Sequence, residues 1–104
     1  VETRFTAAAA GELLAALQRY RDEAGASVAA HFDDSVRHAL MRLVQRPELG
    51  SPAPAGLRTW PLRRFPYTLV YRVQVTEVVV IAVAHQRRGG GVLEGAALAV
   101  KSRR

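Results

Sequence analysis

Two hydrophobic periods divide the chain. Between residues 6 and 46 apolar positions return every three or four residues, and beyond residue 57 they alternate. The first spacing belongs to amphipathic helices and the second to strands. In AAAAGELLAALQRYRDEAG the stripe is Leu13, Leu14, Leu17 and Tyr20 or Arg21, with Thr6 placed to cap the start and Gly25 to stop the end. A second helix is predicted from near Ser27 toward Arg46, on Val28, Phe32, Val36, Ala39, Leu40, Leu43 and Val44. Pro47 ends it, because proline disfavours helical backbone in the residue before it. Two such helices joined by a glycine turn form an antiparallel hairpin, and each needs a further layer to cover its apolar face. Ahead of them VETRF reads as a short strand, with Val1, Thr3 and Phe5 on one side.

PELGSPAPAGL, with three prolines and two glycines, is expected to be a loop. TWPLRRF follows as a strand broken or bulged near its prolines. YTLVYRVQV is a second strand, with Tyr67, Leu69, Tyr71, Val73 and Val75 facing one way and Thr68, Val70, Arg72 and Gln74 the other. EVVVIAVAH is apolar on both faces and so belongs inside the sheet, in a hairpin with its predecessor. The expected fold is α+β: an N-terminal strand and an antiparallel helix hairpin packed on a small, mainly antiparallel β-sheet, in the order β-α-α-β-β-β. Residues 1–88 make that domain. Residues 89–104, opened by three glycines, make a hinged and variable C-terminal tail.

Length and composition narrow the picture. With 104 residues the chain makes one domain, and with no cysteine it has neither disulfides nor thiolate chemistry. The longest strongly apolar run, residues 78–84, is too short to cross a bilayer, which leads to the expectation of a soluble, cytoplasmic protein with no membrane partner. Charge is divided unevenly. Residues 1–52 balance at −1, whereas residues 53–104 carry eight arginines and one lysine against two glutamates, a balance of +7. Arginine presents a planar fork suited to carboxylate or phosphate, so the partner is an acidic protein surface or a nucleic acid.

The basic residues define the candidate site: Arg63, Arg64, Arg72, His85, Arg87 and Arg88. An antiparallel hairpin can bring Arg63 and Arg64 near Arg87 and Arg88. Such a patch fits an interaction surface, a solvated basic sheet edge that discourages strand pairing, or a site stabilising phosphoryl charge. Trp60 and Phe65 flank the first basic strand and suit covering the sheet and helices better than stacking on bases; in the binding reading they support the arginine surface. His85 could exchange a proton near neutrality, although a strand-end histidine commonly just bonds to backbone. His31 and His38 lack surrounding carboxylates at metal-ligand spacing, and Asp33 and Asp34 diverge around their helix. No metal or other cofactor is expected, and no serine stands in a nucleophile motif.

RRFPYTLVYRV followed by VVVIAVAHQRR resembles the RelE/ParE superfamily of toxins from toxin–antitoxin pairs, in its ParE-like branch. The resemblance covers roughly residues 1–88 and implies a toxin held inactive by a cognate antitoxin, with an open sheet edge or groove beside the helices accepting a strand or helix. The ParE-like branch implies DNA gyrase as target and no nuclease centre. The RelE-like branch implies ribosome-dependent cleavage of messenger RNA, for which Arg87 and His85 would be the residues. That pattern has an arginine where Thr68 follows Tyr67, and a tyrosine beyond the last strand where GGGVLEGAAL has none. ParE-like members in turn continue from HQRR into a proline and aromatic segment, and this chain continues into glycines. A degenerate toxin that only binds its antitoxin is the remaining alternative. Under the leading reading Arg63, Arg64, Arg72, Arg87 and Arg88, with Trp60 and Phe65, contact the antitoxin or target.

Overall fold

The computed structural model describes residues 2–88. Val1 and the tail at 89–104, with the hinge expected there, lie outside the described residues. Strand β1 (Glu2–Phe5) leads into α1 (Ala7–Ala24) and α2 (Ala26–Gln45), followed by β2 (Ser51–Ala53), β3 (Leu57–Pro61), β4 (Tyr67–Val73) and β5 (Glu77–His85). The five strands form one sheet in the order β1-β5-β4-β3-β2, parallel only between β1 and β5.

The α+β architecture agrees with the hydrophobic periods, with local differences. The segment expected to be a loop contains β2, which pairs with β3 and adds an edge strand. The first basic strand lies earlier than expected: it spans Leu57–Pro61, and residues 63–66 form a bend. Pro66 has no N–H to donate to a ladder, so the strand cannot carry through it. Strand β4 ends at Val73, and Val75 stands 97% exposed in the turn to β5. Leu14 is also exposed, because α1 buries Ala9 and Ala16 and packs Leu13, Leu17 and Tyr20 against the core on a narrower stripe.

The helix pair covers one face of the sheet. Phe32, Val36, Ala39 and Leu43 of α2 pack against Tyr67, Leu69 and Tyr71 of β4 and Val78, Val80 and Val83 of β5. The other face holds a second buried cluster of Leu57, Val70, Val79, Ile81 and Ala82, with Ala53 and Ala55 packed on it. Both faces of β5 are therefore apolar, as an inner strand requires. The pairing slips between Val70 and Tyr71, opposite Ala82 and Val80 respectively, so Ile81 is an extra residue. This bulge puts Ile81 and Ala82 on the same side.

Strand β1 stops alongside Val80, leaving the rest of that β5 edge to α1. Thr6 accepts a hydrogen bond from the N–H of Ala9, capping α1, and its hydroxyl donates to the carbonyl of Ile81 at 3.3 Å. Glu12 then accepts from the N–H of Val83 at 2.8 Å. Side chains from the cap and first two turns of α1 thus terminate the strand ladder. Thr6→Ala should lower stability by about 0.5–2 kcal/mol, as loss of a helix cap does, whereas Thr6→Ser should restore most of it. Urea unfolding of the two variants checks this; equal losses would mean that the methyl, not the hydroxyl, matters.

Candidate functional site

The register Tyr67↔His85 brings two basic segments to one end of the sheet. There the bend closes through Leu62 N–H donating to Tyr67 O and Tyr67 N–H donating to Phe65 O, and Gln86 N–H reaches Pro66 O at 2.7 Å. Arg63, Arg64 and Arg87 consequently sit at the same end, exposed. Arg88 continues the turn that follows β5; the position of its side chain lies outside the described residues.

Arg72 does not join them. It pairs with Val79 near the opposite end of β4, roughly 17 Å from Tyr67 at about 3.3 Å per residue. Its guanidinium is tied into a local network on the face away from the helices. With its amide turned so that the oxygen faces Arg72, Gln74 accepts from Arg72 at 3.3 Å and donates to Glu77 at 3.0 Å, and Glu77 pairs with Arg4 at 3.2 Å. Arg72 Nε is buried without a hydrogen-bond partner among the described residues. This is a structural arginine, and a single ladder of six residues is enough to separate it from the patch.

The two aromatic residues also part company. Phe65, partly buried, packs edge-on against Tyr20 and Phe32 at centroid distances of 5.3 and 5.2 Å, so much of its ring is committed to the core. Trp60 is half-buried, with the Arg42 guanidinium 5.5 Å from its ring centroid. Arg42 was not among the residues expected at the site; its four-residue spacing from His38 on α2 is the signal that could have found it.

His85 closes the β4–β5 end. Its ring meets Tyr67 edge-on at 5.0 Å, and its Nδ1 accepts the Arg87 N–H at 3.1 Å. A ring nitrogen that accepts carries no proton, so the proton of the neutral ring sits on Nε2. In this arrangement the lone pair that a general base would use is already engaged. Arg19, Tyr20 and Glu23 of α1 border the same small cleft. Burial pushes the Tyr20 phenol above its ordinary pKa, with Tyr67 adding to the shift, so it stays neutral. Among the described residues no three His, Cys, Asp or Glu side chains come together to hold a metal, and no helix is long and apolar enough to cross a membrane.

A second concavity, of about 620 Å³, lies between β1 and the helices. Phe5, Leu13, Val36, Leu40, Met41 and Val44 make its apolar lining, and the Asp33–Arg37 ion pair, 2.8 Å, borders it. Met41 is 61% exposed. Among the described residues the outer side of β1 is a sheet edge, so the groove adjoins backbone groups that no described strand uses. The arginine-centred expectation missed these lining residues. Their signal is that the apolar stripe of α2, widened by Leu40, Met41 and Val44, exceeds what the core buries.

Residues 3–90 match the family described as the ParE toxin of the type II toxin–antitoxin system, parDE. In structure the chain is similar to a chain of a chromosomal ParDE toxin–antitoxin system from P. aeruginosa, with a TM-score of 0.70 and 24% sequence identity over 82% of this chain and 95% of that one. At that identity the likeness shows the fold. No curated protein matches the chain in sequence.

Proposed function

The chain belongs to the ParE toxin family of type II toxin–antitoxin systems, and from that premise we propose that it arrests growth by binding DNA gyrase in the cytoplasm and is silenced when a cognate antitoxin fills the groove beside β1. The observation that carries the antitoxin half is the conjunction of an apolar groove with an open strand edge. A strand can add its hydrogen bonds at the edge while apolar side chains enter the groove, or an amphipathic helix can lie in it. The target half rests on the family and on the exposed arginines Arg63, Arg64 and Arg87, which suit stoichiometric binding better than chemistry. Nuclease action by His85 is disfavoured by the occupied Nδ1.

The test is a supercoiling reaction with purified gyrase, ATP and this protein, with and without the antitoxin encoded beside its gene. Inhibition that the antitoxin reverses is expected. Met41→Asp should leave inhibition intact and weaken the antitoxin at least tenfold, since a carboxylate would have to be buried in an apolar lining and tenfold corresponds to about 1.4 kcal/mol. Unchanged topology beside an active gyrase control would remove gyrase as the target. Full neutralisation of Met41→Asp would move the antitoxin elsewhere.

A further inference from the structure

We propose that a third concavity, between α2 and the bend before β4, grips the phosphodiester backbone of duplex DNA. Its volume is about 400 Å³, and Ser35, His38 and Arg42 of α2 face Trp60, Arg63 and Arg64 across it. Three guanidiniums meet one carboxylate there, that of Asp34. The remaining lining, Ala39, Pro61 and Leu62, is small or apolar and adds no charge.

The arginines of this cleft differ from those held in surface ion pairs. Arg4, Arg37 and Arg46 each have a carboxylate within 4 Å. Arg63 and Arg64 are exposed and engage no hydrogen bond or ion pair among the described residues, while Arg42 is committed only to the face of Trp60. Positive charge left unneutralised on one wall attracts a polyanion, and guanidinium forks match phosphate oxygens. His38 Nδ1 bonds the carbonyl of Asp34 at 3.1 Å. A carbonyl only accepts, so the proton lies on Nδ1 and Nε2 is directed away from the helix backbone. The ring therefore presents Nε2 to the wall as an acceptor.

The position of the cleft separates it from the apolar groove. At about 100° per residue, positions 33, 37, 40 and 44 flank the core-facing stripe of Phe32, Val36, Ala39 and Leu43 on one side and positions 35, 38 and 42 on the other, while Asp34 and Met41 lie on the outer face where the two meet. One helix is the shared wall of two sites of unlike chemistry. The apolar groove beside a strand edge suits a peptide; the charged cleft suits phosphate. Duplex DNA is favoured because it carries one charge per roughly 1.7 Å of axis, twice the density of a single strand, so a small set of arginines gains most from it.

This inference needs neither gyrase nor antitoxin, and its test uses the chain alone. Fluorescence anisotropy of a short labelled duplex is followed between about 50 and 200 mM salt, where log K should fall against log salt with a slope of about −2.7 for three phosphate contacts. The double variant Arg63→Ala/Arg64→Ala should bind at least tenfold more weakly, with the slope reduced to about −0.9. Arg63→Lys/Arg64→Lys should keep most of the slope, and Val75→Ala, in the exposed turn between β4 and β5, should bind like the unaltered chain. Absence of duplex binding at the lowest salt, or a slope indifferent to the alanine pair, overturns the proposal. So does tighter binding of single-stranded RNA, or of a polyglutamate peptide, which would assign the cleft to RNA or to an acidic protein.

Discussion

Replacing Phe32 with alanine should cost about 3–5 kcal/mol, a large share of the roughly 5–15 kcal/mol that holds a domain folded. Phe32 is fully buried, and its ring is the hub of an aromatic cluster: Tyr20 stands 5.1 Å away, Phe65 5.2 Å and Tyr67 5.2 Å. These rings come from α1, α2, the bend and β4, so the void left by Phe32 borders four segments that cannot all collapse into it. Phe32→Leu keeps most of the volume and forfeits chiefly the ring contacts, about 0.5 kcal/mol for each of the three pairs and so about 1.5 kcal/mol in all. It should fall well short of the alanine loss. Urea unfolding followed by circular dichroism, with an unchanged slope, measures both. A loss below about 1 kcal/mol for alanine would mean that the cluster does not anchor the helix pair to the sheet.

Gly50→Ala should destabilise by about 2–5 kcal/mol, combining overpacking with disruption of a buried hydrogen bond. A methyl on Gly50 would run into the hydroxyl of Tyr71, with the ring carbon Cε1 at 2.7 Å and the backbone oxygen of Thr59 at 2.8 Å. Tyr71 is fully buried and Thr59 belongs to β3, so neither can step aside cheaply. The Tyr71 hydroxyl accepts from Gly50 N–H at 2.9 Å and donates to the carbonyl of Pro47, closing the loop after α2 onto the sheet. Tyr71→Phe should itself cost about 1–3 kcal/mol by stranding those two backbone groups. In the double variant the hydroxyl is gone and part of the clash with it, so the two losses should sum to more than the measured total. Strict additivity in a double-mutant cycle would show that the loop swings clear of Tyr71.

The same phenol gives the fold a pH limit. Burial pushes the Tyr71 pKa above its ordinary value of 10.0, while the Gly50 N–H and Arg58 pull partly against the shift. The unfolded chain releases this proton more readily than the folded one. Its contribution is therefore complete below about pH 10 and is lost as pH rises through the higher folded value. Function follows the same lock, because α2, whose end it fixes, is a wall of both the apolar groove and the basic cleft.

Much of this was legible from residue spacing. Thr6 and Gly25 bound α1 as expected, and the inward faces of α2 and β4 were read from their periods. Leu14 was misplaced because four leucine and aromatic positions in α1 exceed the face available when small alanines, Ala9 and Ala16, let the helix sit close to the sheet. Strand β2 was missed because Pro52 and the prolines on either side of it read as a loop, and an edge strand tolerates proline. Arg72 looked like a member of the patch because it shares a hairpin with the other arginines, and only the pairing register shows which end of the ladder it occupies.

Sequence alone determined the order of every element but β2, most of their buried faces, the basic C-terminal half and a family resemblance that the family match bears out. These are properties of neighbours along the chain, where a period of 3.6 or 2 decides which side chains share a face. The tertiary structure decided which arginines meet, that Phe65 packs against the core, that Arg42 lies on Trp60, and that α2 separates an apolar groove from a basic cleft. Each depends on contacts between residues far apart in the chain, and local spacing carries no record of lateral packing or of strand register.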